Sequence, residues 1–77
     1  MVLMRLISND AEQVKYSYQP ECDGEPGILA YCKKTDTPTV EKLAERDGNS
    51  VFYRNHAFAM IRDTLSEPPE ERLLVWY

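Results

Sequence analysis

Residues 13–19 alternate strictly between apolar and polar side chains, and this alternation constrains the fold more than any other feature of the chain. A period of two is typical of a β-strand with one buried face and one face in water. The apolar face holds Val14, Tyr16 and Tyr18. Runs with strand character at residues 2–8 and 28–34 flank this segment across short links, and Asn9 and Asp10 supply turn chemistry in the first of them. Links this short allow only hairpin connections, so the sequence predicts an antiparallel meander.

The stretch after the third strand predicts a short helix. Thr37 is suited to cap a helix, and Pro38 fits the first turn because its missing N–H has no partner to lose there. Asp47 and Gly48 then end the segment with turn chemistry. The proposed inner stripe of this helix is Val40, Leu43 and Ala44.

A second and longer helix follows, capped by Asn49 or Ser50 and extending to about residue 66, before two prolines prevent its continuation. Its predicted inner stripe comprises Tyr53, Ala57, Met60, Ile61 and Thr64. Residues 70–77 then end in the continuous apolar run Leu-Leu-Val-Trp-Tyr, which is typical of a strand covered on both faces. We therefore expect an α+β fold, with a small antiparallel sheet of about four strands and two helices in the order β-β-β-α-α-β.

Composition narrows the class of protein. A chain of 77 residues is expected to form a single domain, residues 1–77, with a small core. Its formal net charge of −4 and scattered basic residues disfavour nucleic-acid binding. No apolar run reaches the roughly 18 residues that span a bilayer, and residues 1–8 lack the features of a signal peptide. The expected protein is cytoplasmic, with no membrane partner.

His56 is the first candidate for chemistry because it is the single histidine and its side chain titrates near neutral pH. A small-ligand binder or an enzyme would combine it with a carboxylate such as Asp63 or Asp47. Packing is the competing interpretation, since His56 falls beside Phe52 and Met60 at helical spacing, where an imidazole often keeps one nitrogen in water.

The sequence predicts neither a metal site nor a cofactor. Cys22 and Cys32, together with His56, supply too few soft ligands for an intrachain zinc site. The motifs of nucleotide binding and of the common hydrolases are also missing from the sequence. We therefore expect a non-enzymatic module more than an enzyme.

Apolar residues occupy both alternating faces of the first and last predicted strands. Helices on one side of a sheet cover only one face, and proteins seldom expose large contiguous apolar patches. A second copy of the chain is the simplest cover, so we expect a homodimer through the sheet, with an unidentified protein partner as a further possibility. The expected interaction residues are Trp76, Tyr77, Leu74 and Leu3. The predicted function is an accessory or regulatory protein-interaction module that self-associates.

Overall fold

A computed structural model describes residues 1–49 and 51–76, and within them it contains five strands and one helix. The elements are β1 (Val2–Asn9), β2 (Gln13–Pro20), β3 (Gly27–Cys32), β4 (Thr37–Lys42), α1 (Val51–Asp63) and β5 (Glu71–Leu74). All the strands belong to one antiparallel sheet with the order β4-β3-β2-β1-β5. The predicted α+β class is confirmed, whereas the element order is β-β-β-β-α-β.

The meander of the first three strands forms as predicted. β1 pairs with β2 around a tight turn in which the Asp10 carboxylate accepts hydrogen bonds from the backbone N–H groups of Glu12 and Gln13, both at 2.8 Å. These bonds hold the pKa of Asp10 below its ordinary value. β2 pairs with β3 after a turn in which Glu21 and Cys22 adopt positive φ angles of 56° and 57°.

The first predicted helix is wrong, because the segment that begins at Thr37 is the edge strand β4. A turn containing Asp36, with a φ of 53°, reverses the chain after β3 and pairs Cys32 with Thr37. Pro38 is tolerated there because an edge strand has one side without ladder hydrogen bonds. Pairing with β3 therefore overrides the local helix-capping signal.

The single helix of the described residues, α1, covers one face of the sheet by contacting β1, β2 and β3. The middle of the predicted inner stripe is confirmed, since Ala57, Met60 and Ile61 are buried. The predicted tyrosine face of β2 is buried beneath the helix as well. The proposed cap Ser50 lies outside the described residues. This helix is too short and too polar to be a membrane-spanning candidate among the residues described.

The last strand is present, and this chain covers one of its two apolar faces; cover of the other face by a second copy stays a prediction. β5 spans only Glu71–Leu74 and lies at the edge of the sheet beside β1. Leu73 and Val75 keep 48% and 52% of their areas exposed. These two residues are open to solvent because they lie on the face opposite α1, whereas Leu74 and Trp76 on the helix side pack against the core.

The face opposite α1 is mixed rather than uniformly apolar. Leu3 and Leu73 are direct neighbours on it, but the next pair along the same two strands is Arg5 and Glu71. The Arg5 Nε atom lies 2.9 Å from a Glu71 carboxylate oxygen. Farther across the sheet, the Lys15 ammonium lies 3.0 Å from the Glu41 carboxylate. Apolar surface on this face is therefore concentrated at the β1–β5 side.

Candidate functional site

One cluster of polar groups surrounds the carboxylate of Asp47, a residue that is 1% exposed. Its Oδ2 atom accepts a hydrogen bond from the Tyr18 hydroxyl at 2.7 Å and one from the Arg54 Nε–H at 3.1 Å. The Tyr18 oxygen also accepts from the backbone N–H of Ala44 at 3.0 Å. These bonds join the sheet, the segment after β4 and the first turn of α1, so the cluster positions the helix on the sheet.

His56 belongs to a different group, the aromatic cluster of Phe52, Tyr53, His56 and Trp76. The imidazole is stacked on the Trp76 indole with ring centroids 3.9 Å apart and planes 11° apart. Phe52 lies 6.0 Å away along the helix, as its spacing predicts. Tyr53 contacts Trp76 edge-on at a centroid distance of 6.0 Å. This cluster packs the segment after β5 against α1.

The structure does not bring His56 together with either candidate carboxylate. Asp63 is exposed and follows seven residues later on the same helix, which corresponds to about 10 Å along the axis. Asp47 is engaged by Tyr18 and Arg54 instead. The shallow pocket beside the imidazole is lined, among the described residues, by Phe52, Asn55 and His56. Such a pocket offers an apolar wall and an amide but no carboxylate within the described part of the chain.

The cysteines do not converge with His56. Cys22 is exposed in the turn after β2, and Cys32 is half-buried at the end of β3. Hydrogen bonds from the Thr35 hydroxyl and from the Thr35 and Lys34 backbone N–H groups lower the pKa of the Cys32 thiol. Within residues 1–49 and 51–76, no three His, Cys, Asp or Glu side chains are grouped as metal ligands would be.

Three of the four predicted interaction residues lie on the β1–β5 side of the sheet, but on two different faces. Leu3 is half-buried on the open face, opposite Leu73. Leu74 and Trp76 are half-buried on the helix side and pack against the core. Tyr77 lies outside the described residues. The predicted interaction residues do not include Leu73 and Val75, the more exposed members of this region, although both belong to the apolar alternation of the last strand.

The two edges of the sheet differ in how they are protected. β4 contains Pro38, and the extra residue Glu41 forms an irregularity opposite β3 before Lys42. Proline, bulges and lysine are common devices that prevent an edge from pairing with another chain. β5 has the sequence Glu-Arg-Leu-Leu, without a proline, a lysine or an irregularity in its pairing with β1. β5 is itself short and begins with the charged residues Glu71 and Arg72, so its apolar end at Leu73 and Leu74 is the part of the edge better suited to accept another strand.

The backbone phase of β5 follows from one hydrogen bond beside it. The Leu6 N–H donates to the Glu70 carbonyl at 2.8 Å, which directs the Glu70 backbone toward β1. Because backbone groups alternate in direction along a strand, Arg72 and Leu74 also face β1, while Glu71 and Leu73 face away. The outward groups are donors and acceptors in position for a further antiparallel strand.

These surfaces have no counterpart from which a function can be transferred: no family model, curated protein or solved structure matches this chain.

Proposed function

We propose that this chain is a small non-enzymatic protein-interaction module, with an accessory or regulatory role, that self-associates through the β1–β5 side of its sheet. The observation that carries the proposal is the asymmetry of the edges: β4 bears a proline, an irregularity and a lysine, whereas β5 is regular and apolar at its end. An exposed edge strand is a template for pairing with another strand.

Apolar surface beside the open edge supports the same assignment. Leu73 is 48% exposed and lies opposite the half-buried Leu3, and Val75, two residues later, is 52% exposed. A protein interface commonly combines an apolar centre with hydrogen bonds at its margin. The side chains of this region supply the first feature, and the outward backbone groups of β5 supply the second.

Sedimentation equilibrium of the full chain over a wide concentration range tests self-association. We expect the mass-average value to rise from 8.9 kDa toward twice that mass as the concentration increases. A mass that stays at 8.9 kDa up to millimolar concentration would contradict the proposal.

Leu73→Pro tests the edge itself. The backbone N–H of Leu73 faces away from β1, so a proline at this position removes a donor from the interface without removing a β1–β5 hydrogen bond. Losing an edge hydrogen bond and the regular approach of a partner strand should weaken association at least about tenfold. Leu73→Thr is the matched control, because it retains the N–H and a strand-favouring side chain. Circular dichroism establishes that both variants fold; equal association of the two would count against the edge.

A further inference from the structure

The outward backbone groups of β5 restrict how a strand can pair with it. Glu71 and Leu73 present their N–H and C=O groups to the open side. Val75 lies just beyond the end of β5 and takes the same phase when pairing extends the strand by one residue. If the incoming strand is β5 of another copy, a two-fold axis perpendicular to the sheet relates the two strands. To form hydrogen bonds, each residue whose backbone groups face the open side must then lie opposite a residue of the same kind in the other copy. Only registers centred on one residue of the strand, opposite the same residue of the copy, satisfy this condition.

The registers centred on Glu71, Arg72 or Leu73 bring together unfavourable pairs of residues. Centring on Glu71 opposes two carboxylates and places Pro69, which has no N–H, at a hydrogen-bonding position. Centring on Arg72 opposes two guanidinium groups. Centring on Leu73 places the Arg72 side chain opposite Leu74 and the Glu71 side chain opposite Val75, so each charge faces an apolar residue.

The register centred on Leu74 opposes no like charges and places no proline at a hydrogen-bonding position, and Arg72 faces an aromatic ring instead of an aliphatic side chain. Leu74 faces Leu74, and Leu73 faces Val75, so apolar residues meet on both faces of the joined sheet. Arg72 lies opposite Trp76, where a guanidinium can stack on an indole. Centring on Val75 also opposes apolar residues, but it pairs only Leu73 and Leu74 of β5 and leaves Arg72 outside the interface.

We infer that the partner of β5 is a second copy of this chain, paired antiparallel with Leu74 at the two-fold axis, so that two five-stranded sheets form one continuous sheet. This inference rests on the proposed function and specifies its partner. In the pair, Leu73 and Val75 of one copy hydrogen-bond through their backbones to the partner's Val75 and Leu73. The exposed apolar residues of both copies then adjoin each other on the open face.

The position of α1 leaves room for this arrangement. The helix contacts β1, β2 and β3, so it is centred near β2, two strands from the open edge. Neighbouring strands are about 4.8 Å apart, which places the helices of the two copies roughly 24 Å from each other. Helices in direct contact pack at about 8–10 Å, so the two copies do not collide.

Disulfide cross-linking between single-cysteine variants distinguishes the registers. Leu73→Cys and Val75→Cys are prepared in a chain in which Cys22 and Cys32 are replaced by alanine, and one variant is isotopically labelled. Both positions are about half exposed, so the substitutions disturb the core little. Directly opposed residues in a hydrogen-bonded pair have Cα atoms about 5.5 Å apart, a separation that a disulfide spans.

In the mixed sample, we expect Leu73→Cys to cross-link with Val75→Cys at least about tenfold faster than either variant cross-links with itself. Only a directly opposed pair lies within reach of a disulfide, and the isotope label identifies the mixed dimer. Thr39→Cys, exposed on the protected strand β4, sets the rate of random collision. Faster homodimer formation by Leu73→Cys would establish the register centred on Leu73 and overturn the inference, as would faster homodimer formation by Val75→Cys.

Sedimentation separates failure of the inference from failure of the proposed function. If the unmodified chain dimerises but the mixed pair links no faster than Thr39→Cys, the β5 pairing is wrong and self-association through another surface remains. If the unmodified chain is monomeric at all concentrations, both proposals fail, and the open edge is left for a strand of a different protein.

Discussion

At the scale of single residues, Tyr18 carries two roles that its place in an alternating strand does not reveal. Its ring lies in the core, and its hydroxyl donates to Asp47 while accepting from the Ala44 N–H. Arg54 is the second donor to the same carboxylate. Both donors bond Oδ2, whereas the buried Oδ1 has no hydrogen-bond partner among the described residues, so these two bonds are what compensates the carboxylate for its lost hydration.

Tyr18→Phe should lower the free energy of unfolding by about 1–3 kcal/mol, because it leaves the buried Ala44 N–H and the Asp47 carboxylate each short of one partner. Tyr53→Phe is the matched control, since the Tyr53 hydroxyl donates to the exposed Glu21 carboxylate. That variant should cost less than about 0.5 kcal/mol. Urea unfolding followed by circular dichroism measures the free energy of unfolding of both variants. An equal decrease in the two would show that the buried hydrogen bonds of Tyr18 contribute no more to stability than an exposed one.

At the scale of elements, the position of β4 depends on close contact at Gly27, the first residue of β3. A Cβ atom built there would lie 2.5 Å from the Lys42 carbonyl oxygen and 2.5 Å from the Ala44 nitrogen. It would also collide with the ring of Tyr18. The backbone from Lys42 to Ala44 therefore passes so close to Gly27 that only glycine leaves space for it.

Gly27→Ala should destabilise the protein by about 3 kcal/mol or more, because backbone atoms on β4 and beyond it cannot move aside as a flexible side chain can. Gly48→Ala supplies the comparison: a Cβ there meets nothing within 4 Å, although Gly48 has a positive φ of 62°. Its cost should be limited to the roughly 1–2 kcal/mol of left-handed backbone strain. Thermal unfolding of the two variants measures which one is less stable. A smaller decrease in stability for Gly27→Ala than for Gly48→Ala would contradict the steric explanation.

At the scale of the whole molecule, a single helix covers one face of the sheet and buries tyrosines between the layers. Burial raises the pKa of Tyr18 to about 12, with smaller contributions from its hydrogen-bond partner Asp47. Burial also raises the pKa values of Tyr16 and Tyr53. Tyr16 donates its hydroxyl proton to the Pro69 carbonyl, which a phenolate could not do.

Stability should therefore fall at alkaline pH. A phenol whose pKa is higher in the folded than in the unfolded chain stabilises the fold fully below the unfolded value and loses this contribution as the pH rises through the folded value. For Tyr18 that interval extends from pH 10.0 to about 12. Urea unfolding at a series of pH values should show the decline, with a shallower slope for Tyr18→Phe. A parallel slope in the variant would assign the decline to other groups.

The sequence alone determined the features that depend on neighbouring residues. The alternation of β2 specified its buried tyrosines, Asp10 specified the first turn, and the spacing of Ala57, Met60 and Ile61 specified the buried face of α1. Each of these follows from local periodicity or from a side chain bonding its own backbone, so a short window of sequence is sufficient to predict it.

The tertiary structure decided what depends on residues far apart in the chain. Thr37 and Pro38 carry a helix-capping signal, yet pairing with β3 makes them part of a strand. His56 could not be matched from sequence with its stacking partner Trp76, which lies on the segment after β5. The apolar run that begins at Leu73 has the composition of a buried strand, but the strand order places it at an edge. Composition records which surfaces favour burial, and only the arrangement of the strands and the helix determines which of them the chain covers by itself.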